Sequence, residues 1–403
     1  MDTDTGRSVR PLLSIVVPTR NRATYAVPAI RSLLSIPSTD IQVVVQDNSD
    51  DPELERFVEA LPSDPRLRYN HITERLDVIE NFTRGTDLAT GEYITYLGDD
   101  DGANPEILEA TAWARGKKLD AILPSRPAQY WWPDHRFRYH GSISAGSMDL
   151  RPFTGKLSYP DPETEMRKCA RAAGYHFAKL PRIYYGVVRR DCLNKVKMTA
   201  GTYFPGPSPD LSGAIAVANY VKAMAHVDYP LLLPGSSAKS TAGLGAMKKH
   251  VGRLEAWPHL PQQYVRNWSK LVPAFFGGNT IWGEDVVQAL TAIGRKDILA
   301  QFNVPLLHAF CVAFNPQYSR LTIENFYRAL RVTHKGYAIG TAQFIFAYGY
   351  AYLLRARTLA DRYAERARLR RITTIRKLPS IEDAIQALSS SLIMAGRKFS
   401  ACI

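Results

Sequence analysis

The sequence has few cysteines and spaces them widely. The four cysteines, Cys169, Cys192, Cys311 and Cys402, form no CxxC pair and show no Cys/His ligand spacing. Neither a structural zinc site nor a disulfide framework is therefore expected. We predict buried thiols in a reducing cytosol.

The sequence also lacks a long apolar run and the features of an export signal. Residues Met1 to Arg10 are polar and carry acidic residues early, so no signal peptide is predicted. The most apolar late window, Ile339 to Leu354, contains Gln343 and is shorter than the roughly 20 apolar residues of a bilayer span. We predict no transmembrane helix and a cytoplasmic location.

Acidic residues are outnumbered, with 38 Asp and Glu against 51 Lys and Arg, for a formal net charge of +13. Residues 331–403 alone hold thirteen basic and four acidic residues. A basic helical tail is typical of a solvated helix face or of contact with an anionic membrane, and we hypothesise peripheral membrane attachment, on the inner face, through residues 338–377. No nucleic-acid-binding motif accompanies the charge, so no nucleic-acid partner is expected.

The first 125 residues do contain a regular alternation of apolar runs and helical stretches. The apolar runs predict strands at Leu12–Val17, Ile41–Val45, Leu67–Ile72, Glu92–Leu97 and Ala121–Leu123. Helices are predicted at Ala23–Ile36, from Pro52, at Val78–Ala89 and at Pro105–Arg115. This alternation predicts an α/β fold in which helices cover both faces of a mostly parallel sheet.

The rest of the chain is less regular. Residues 130–153 mix aromatic, basic and glycine residues, which predicts a long loop over a site. A helix at 161–174 and a strand at Ile183–Val188 are predicted, and beyond Val251 the pattern is helical to the end. We divide the chain into a main domain at 1–250, with halves at 1–125 and 126–250, and a helical C-terminal region at 251–403.

Polar clusters follow three of the predicted strands, at Pro18–Arg22, Asp47–Asp50 and Gly98–Asp101. In open α/β sheets, ligands bind in the crevice beyond the carboxyl ends of the strands. We therefore expect the three clusters, which come from separate segments, to meet in one site.

The acidic run Asp99-Asp100-Asp101 is the strongest candidate for a metal site. It follows an apolar strand through Gly98, which allows a sharp turn that lets Asp99 and Asp101 point together. Carboxylates hold divalent cations, which neutralise a departing diphosphate. An isolated acidic triplet is usually a solvated turn or a helix cap, but its position at a strand end favours the metal interpretation.

Other candidates belong to the same expected crevice. Asp47 ends the second strand, where its carboxylate can accept the imide N–H of uracil or thymine, or the N–H groups of guanine, although an Asx-turn is the alternative. In Pro18-Thr19-Arg20-Asn21-Arg22, a helix N-terminus and two guanidinium groups can meet a nucleotide or phosphate, and Thr19 can equally be a cap.

Two further residues are weaker candidates. Asn81, inside the third helix, is within reach of a ribose or diphosphate, but a polar outward face explains it nearly as well. Lys239, in the turn-rich Gly235–Gly243 stretch, can meet a diphosphate or an acceptor. His250 is interpreted as a surface residue rather than a metal ligand.

The segments SIVVPTRNR, VVVQDNSDD and LATGEYITYLGDDD resemble the nucleotide-binding half of glycosyltransferase family 2, whose members are inverting enzymes with the GT-A fold. The resemblance covers roughly residues 11–125. It implies a UDP-, TDP- or GDP-sugar donor and a Mn²⁺ or Mg²⁺ cofactor. It also implies that Asp47 contacts the base, that Asp99 and Asp100 lie against the donor, and that Asp101 coordinates the metal.

Inversion requires a carboxylate that deprotonates the acceptor hydroxyl. Family members commonly place this base in a Glu-Asp or Pro-Asp pair at a helix start, and Ser208-Pro209-Asp210-Leu211 resembles that element. Asp210 is therefore the predicted base, although it is also a good helix cap, and Asp228 and Glu163 stay open as alternatives. The acceptor is expected to be a glycan, a lipid-linked molecule or another hydroxyl compound.

The leading prediction is thus a glycosyltransferase of polysaccharide or glycoconjugate biosynthesis. A nucleotidyltransferase that makes the activated sugar is an alternative, but it requires a glycine-rich phosphate loop after the first strand, and Pro18–Arg22 contains no glycine. A non-catalytic, membrane-associated scaffold is the second alternative.

Overall fold

The computed structural model describes residues 10–137, 142–240, 251–257, 259–368 and 372–403. His250 lies outside these ranges, as do residues 241–243 of the Gly235–Gly243 stretch. The strands are β1 (Leu13–Thr19), β2 (Ile41–Asp47), β3 (Leu67–His71), β4 (Tyr93–Tyr96), β5 (Gly102–Ala103), β6 (Ala121–Pro124), β7 (Ala128–Trp131), β8 (Ser147–Leu150), β9 (Leu157–Ser158), β10 (Val187–Arg189), β11 (Met224–Val227), β12 (Leu232–Leu233), β13 (Gly235–Ser236) and β14 (Thr373–Arg376).

Helices separate and follow these strands. In chain order they are α1 (Ala23–Leu34), α2 (Glu53–Glu59), α3 (Val78–Leu88), α4 (Ile107–Gly116), α5 (Pro162–Arg171), α6 (Arg190–Ala200), α7 (Pro209–Ala218), α8 (Gln262–Arg266), α9 (Gly278–Ala292), α10 (Lys296–Leu299), α11 (Val304–Phe314), α12 (Ser319–Val332), α13 (Tyr337–Arg368) and α14 (Ile381–Met394). Every strand and helix predicted in the first 125 residues is present, with ends that differ by one or two residues.

The main sheet has eight strands in the order β3-β2-β1-β4-β10-β6-β11-β9. The four strands β3, β2, β1 and β4 are parallel, β10 is antiparallel to both of its neighbours, and β11 is parallel to β6. The predicted fold class, α/β with a mostly parallel sheet and flanking helices, is confirmed. All seven residues of β1 are buried because helices cover both faces of the sheet.

The two faces of the sheet pack against different helices. Val16 and Tyr96 belong to a cluster that includes side chains of α5, α7 and the helices α9 to α12. Ile15 and Val17 point the other way, into a cluster with α1, α4 and α14. This period-2 alternation along β1 places the carboxyl ends of β1, β2 and β4 between two packed helical layers.

The predicted loop at residues 130–153 was wrong in its first and last parts. β7 and β8 pair antiparallel there and form a four-stranded sheet in the order β13-β7-β8-β14. In β7, Ala128 and Tyr130 are buried and alternate with half-buried Gln129 and Trp131. Four residues per strand are too few for that alternation to stand out among the aromatic and basic residues around it.

The prediction of helices to the end of the chain also needs a correction. β14 pairs antiparallel with β8, and α14 returns to the sheet, where Ile381 and Leu388 pack in the same core as β1. The predicted division at residue 250 stays a prediction. The last thirty residues share a core with the first hundred, so this core spans the predicted boundary. Within the described residues, no helix combines the length and apolar character needed to cross a bilayer.

Candidate active site

A cavity of about 500 Å³ lies at the carboxyl ends of β1, β2 and β4. Its walls include Pro18 and Thr19 from the end of β1, Asn48 after β2, and Gly98 after β4. The three polar clusters predicted to share one crevice therefore meet there. Further lining residues are Arg20, Arg22, Leu76, Asp77, Val78, Asn81, Phe82, Asp99, Asp100, Tyr184, Tyr185, Asp210, Gly235, Ser240 and His259.

Asp99 and Asp100 form one wall of the cavity, and neighbouring donors hold both carboxylates. The Thr19 hydroxyl donates to Asp99 Oδ2 at 2.6 Å, and the Ser237 hydroxyl donates to Asp100 Oδ2 at 2.6 Å. A Cβ atom at residue 235 would lie 1.7 Å from the Asp100 carbonyl oxygen, so Gly235 permits the close approach of β13 to the acidic run.

Arg22 supplies the positive charge of this wall. Its Nε lies 3.0 Å from Asp99 Oδ1 and its second terminal nitrogen lies 2.9 Å from Asp100 Oδ2. Burial by itself would lower the pKa of Arg22, but the two carboxylates outweigh it and raise the pKa. Burial raises the pKa of Asp99, with Arg22 opposing and Asp100 adding to the rise. One guanidinium thus pairs with two of the three carboxylates in the run.

Asp101 is turned into the protein and is not among the lining residues. Its carboxylate accepts hydrogen bonds from the Tyr185 hydroxyl at 2.8 Å and from the backbone N–H groups of Gly98 and Gly235, each at 2.7 Å. Burial and the charge of Asp100 raise its pKa. Tyr185 itself has a φ of 59°, an uncommon conformation for a bulky residue and one often seen at functional sites.

Asp47 is also absent from the cavity lining, and its side chain is fully buried. The Ser49 backbone N–H and hydroxyl donate to Oδ1, and the Tyr69 hydroxyl donates to Oδ2 at 2.8 Å. The Asx-turn that was the alternative for this residue is thus present. The predicted contact with a base stays a prediction. It requires the Tyr69 hydroxyl to give up its hydrogen bond to Asp47 Oδ2.

The arginine that follows Thr19 links two of the clusters. Arg20 lines the cavity, donates to Asn48 Oδ1 at 2.9 Å, and forms an ion pair with Asp50 at 2.7 Å. Asn48 also holds the segment before α3, through hydrogen bonds with Ile72, Glu74 and Leu76.

The two weaker candidates are placed differently. Asn81 lines the cavity, and its buried Oδ1 atom has no hydrogen-bond partner among the described residues. A water molecule or a ligand that donates a hydrogen bond would satisfy this atom. Lys239 is exposed and lines a separate shallow depression with Asn21 and Asp50, while its carbonyl oxygen accepts a hydrogen bond from Arg22.

Asp210 lines the same cavity from a separate element, at the start of α7. Solvent reaches its side chain through the cavity, yet surrounding protein desolvates the carboxylate and raises its pKa to about 6, while Arg182 and Arg126 oppose the rise. The Asp210 carboxylate makes no hydrogen bond to any described residue. Neither alternative acid lines the cavity: Asp228 accepts hydrogen bonds from Ser125 and Thr154, and Glu163 pairs with Arg167 and Arg295.

The sequence analysis missed several residues of the site. Tyr184 and Tyr185 lie within the predicted strand Ile183–Val188, but the true strand β10 begins only at Val187, which leaves both tyrosines in the cavity wall. The Trp132 indole N–H donates to the Asp100 carbonyl oxygen at 2.9 Å, from a segment interpreted as loop. Adjacent aromatic residues at a strand end were the available signal.

The donor set can be tested against the divalent cation that the resemblance implies. No group of three or more His, Cys, Asp or Glu side chains is arranged to hold a metal ion within the described part of the chain. The hard carboxylate oxygens of the acidic run nevertheless fit Mn²⁺ or Mg²⁺, and they carry more negative charge than Arg22 neutralises. A cation here needs diphosphate or water oxygens to complete its shell.

Residues 14–183 match the sequence family described as Glycosyl transferase family 2. The chain is 35% identical over 100 residues to the putative colanic acid biosynthesis glycosyl transferase WcaA of Escherichia coli, an alignment that covers 24% of this chain and 36% of WcaA. It is 32% identical over 93 residues to the GalNAc(5)-diNAcBac-PP-undecaprenol beta-1,3-glucosyltransferase of Campylobacter jejuni, over 23% of this chain and 30% of that protein. The chain thus spans about a third of the length of these relatives.

Among solved structures, the chain is similar to S. aureus TarS residues 1–349 in complex with UDP-GlcNAc, with 17% identity and a TM-score of 0.48 over 83% of this chain and 89% of that one. The family match spans β1, β2 and β4, whose carboxyl ends form the cavity. The quoted segments that carried the resemblance lie almost entirely within it. The segment at residues 14–183 therefore matches glycosyltransferase family 2.

Proposed function

We propose that the protein transfers a glycosyl group from a nucleoside diphosphate sugar to an acceptor hydroxyl, with inversion at the anomeric carbon. One observation carries this proposal. Asp210 and the pair Asp99 and Asp100 line the same cavity of about 500 Å³, on walls built from different parts of the fold. Such a volume is in the range of small-molecule sites.

In the proposed reaction, Asp210 accepts the proton of the acceptor hydroxyl as its oxygen forms a bond to the anomeric carbon. The bond from that carbon to the diphosphate oxygen breaks, and the nucleoside diphosphate leaves with the electron pair. Arg22, which pairs with Asp99 and Asp100, is proposed to neutralise part of the charge on this leaving group. Thr19 and Asn81 are proposed to orient the donor.

A divalent cation, Mn²⁺ or Mg²⁺, supplies further neutralisation of the diphosphate when it is bound. Asp99 and Asp101 are the proposed ligands. Asp99 already lines the cavity, whereas Asp101 would have to exchange hydrogen bonds from Tyr185 and Gly235 for the metal. Asp100 is proposed to lie against the donor, and Lys239 to meet its diphosphate or the acceptor.

The donor is proposed to be a UDP-, TDP- or GDP-sugar, because a carboxylate at Asp47 pairs with the N–H groups of uracil, thymine or guanine. The acceptor is proposed to be a growing or lipid-linked glycan. The name of the Campylobacter relative includes an undecaprenol-linked substrate, which supports that class. The family match also favours glycosyl transfer over nucleotidyl transfer.

Thermal melting with Mn²⁺ and a panel of nucleotides tests the donor site. UDP, TDP or GDP at about 100 times its Kd should stabilise the protein by about 2.7 kcal/mol. CMP is the control, since cytosine offers Asp47 no imide N–H. If no nucleotide moves the melting temperature, with or without Mn²⁺, the proposal of a nucleotide-sugar enzyme fails and the scaffold alternative gains.

We also propose that the protein attaches peripherally to an anionic membrane through residues 338–377, most of which belong to α13. Ile339, Phe346 and Leu353 of α13 repeat every seven residues along one face, with 66%, 81% and 69% of their surface exposed. Residues 319–357 hold six basic residues and one acidic residue. An exposed apolar face with flanking arginines and tyrosines matches an interfacial helix. The positive charge around this face disfavours contact with the same face of a second copy.

Cosedimentation with phosphatidylcholine vesicles, with and without phosphatidylglycerol, tests this attachment. The wild-type chain should bind the anionic vesicles, and the double change Phe346→Glu and Leu353→Glu should release it. Met198→Glu is the matched control, because Met198 is 85% exposed on α6, a different helix. Equal recovery of all three proteins, or a loss of self-association in the double variant, would contradict the membrane proposal.

A further inference from the structure

Helix α9 carries two adjacent buried acids, Glu284 and Asp285, neither of which has measurable exposed surface. Among the described residues, neither carboxyl group forms an ion pair, and the nearby charges of Asp210 and Glu284 raise the pKa of Asp285 further. Burial raises the pKa of Asp285 well above its ordinary value and that of Glu284 to about 7. Buried acids without a counter-charge cost folding free energy, so their presence calls for a reason.

The two acids have different partners. The Ser208 backbone N–H donates to Asp285 Oδ1 at 2.9 Å, and the Ser208 hydroxyl donates to Asp285 Oδ2 at 2.5 Å. Glu284 instead accepts from the Ser269 N–H at 3.0 Å and from the Gln288 side chain at 2.6 Å. Of the two acids, only Asp285 therefore contacts the turn that leads to Asp210.

Ser208 occupies the N-cap position of α7, followed by Pro209 and Asp210. A serine at this position usually accepts a hydrogen bond from the first turn of its helix, but the Ser208 side chain makes no such bond and donates to Asp285. A Cβ atom at Gly206 would lie 2.7 Å from Asp285 Oδ1, so the glycine lets the turn lie directly on α9. The start of α7 is thus held by another helix.

We infer that Asp285 is a positioning residue for Asp210: by holding Ser208, it sets where the first turn of α7 directs the Asp210 carboxylate. This inference rests on the proposed role of Asp210 as the base. It also gives α9, which lies outside the family match at residues 14–183, a part in the site. Since a displacement of about 1 Å can lower a rate roughly 100-fold, a modest anchor has a large kinetic effect.

The variants Asp285→Ala, Asp285→Asn and Glu284→Ala test the inference, with release of nucleotide from the preferred sugar nucleotide as the assay. We expect Asp285→Ala to lower kcat about 100-fold while the KM for the donor stays within about twofold. Asp285→Asn should recover most of the rate, because the amide can still accept from the Ser208 N–H and donate to the Ser208 hydroxyl. Glu284→Ala, the matched loss of a buried acid, should leave kcat within about threefold of wild type.

Equal losses of kcat in Asp285→Ala and Glu284→Ala would overturn the inference, as would kcat and KM changes that merely follow stability. Hydrogen–deuterium exchange of the peptide from Phe204 to Ser212 provides a readout without turnover. Exchange at the Ser208 amide should accelerate in Asp285→Ala and not in Glu284→Ala, and unchanged exchange would refute the anchor. If Asp210→Asn turned over the sugar nucleotide as fast as the wild type, the proposed function of Asp210 would be contradicted instead.

Discussion

The two walls of the cavity treat their carboxylates in opposite ways. Each acid of the Asp99–Asp101 run has hydrogen bonds or ion pairs. Thr19 and Arg22 hold Asp99, Arg22 also holds Asp100, and the Tyr185 hydroxyl donates to Asp101. The Asp210 carboxylate has no hydrogen bond to a described residue, and the charges of Arg182 and Arg126 lower its pKa against the effect of desolvation. The first wall holds its charges in place, whereas the second leaves a carboxylate able to take up and release a proton.

The largest expected effect separates the walls by function. Asp210→Asn should lower kcat for nucleotide release and sugar transfer by about 10² to 10⁴-fold, because the amide cannot accept a proton. Nucleotide-dependent melting shifts should stay unchanged, since the other wall is intact. Asp228→Asn, which alters an acid outside the cavity, is the control. Unchanged turnover in Asp210→Asn would mean that a different acid is the base.

A substitution in the acidic run should affect nucleotide binding rather than proton transfer. Asp101→Ala should weaken Mn²⁺-dependent nucleotide binding by about 10 to 100-fold, seen as loss of the extra melting shift that Mn²⁺ confers. Tyr185→Phe, which removes one hydrogen bond and keeps the carboxylate, should have a smaller effect. If Mn²⁺ raises nucleotide binding equally in the wild type and in Asp101→Ala, Asp101 is neither a ligand nor a support of the metal.

The pH dependence of turnover sharpens the contrast. Burial raises the pKa of Asp210 to about 6, and a base must be ionised to act. The rate kcat should therefore be level above this pH and fall about tenfold per unit below it. Initial rates measured at constant ionic strength between pH 5 and 8 check this. A rate that stays constant down to pH 5 would contradict the assignment of Asp210.

The smallest expected effect concerns stability. The pKa of Asp210 is higher in the folded chain than in the unfolded one, so the wild type binds this proton more tightly when folded and loses stability as pH rises through the window from about 4 to 6. Asp210→Asn removes this pH-dependent loss of stability, because asparagine does not ionise. Its melting temperature should exceed wild type by about 1 to 2 °C at pH 8, because solvent access reduces the effect, and by less at pH 4.

The same contrast explains how much of the site could be read from the sequence. Pro18–Arg22, Asp47–Asp50 and Gly98–Asp101 were identifiable because each follows a continuous apolar run, and parallel strands bring their carboxyl ends to one edge. Asp210 was identifiable only through a resemblance, since it starts a helix and no strand end marks it. Its placement in the cavity depends on α7 packing against the rest of the fold.

Other parts of the site had no local signal. The partners of Asp101, Tyr185 and Gly235, come from segments far along the chain, and nothing in the run of aspartates indicates that the third one turns inward. Asp285 lies seventy-seven residues beyond the serine it holds. The pairing of β14 with β8 was hidden because a four-residue edge strand leaves little periodic pattern.

The sequence by itself determined the parallel sheet and the edge at which its ligand site lies, because apolar periodicity and strand-end polarity are properties of neighbouring residues. Tertiary structure alone decided which carboxylates reach the cavity and which are saturated by the protein, and it brought α9 and α14 back to the N-terminal strands. Hydrogen bonding and desolvation depend on atoms that are distant in the chain, so no local pattern encodes them.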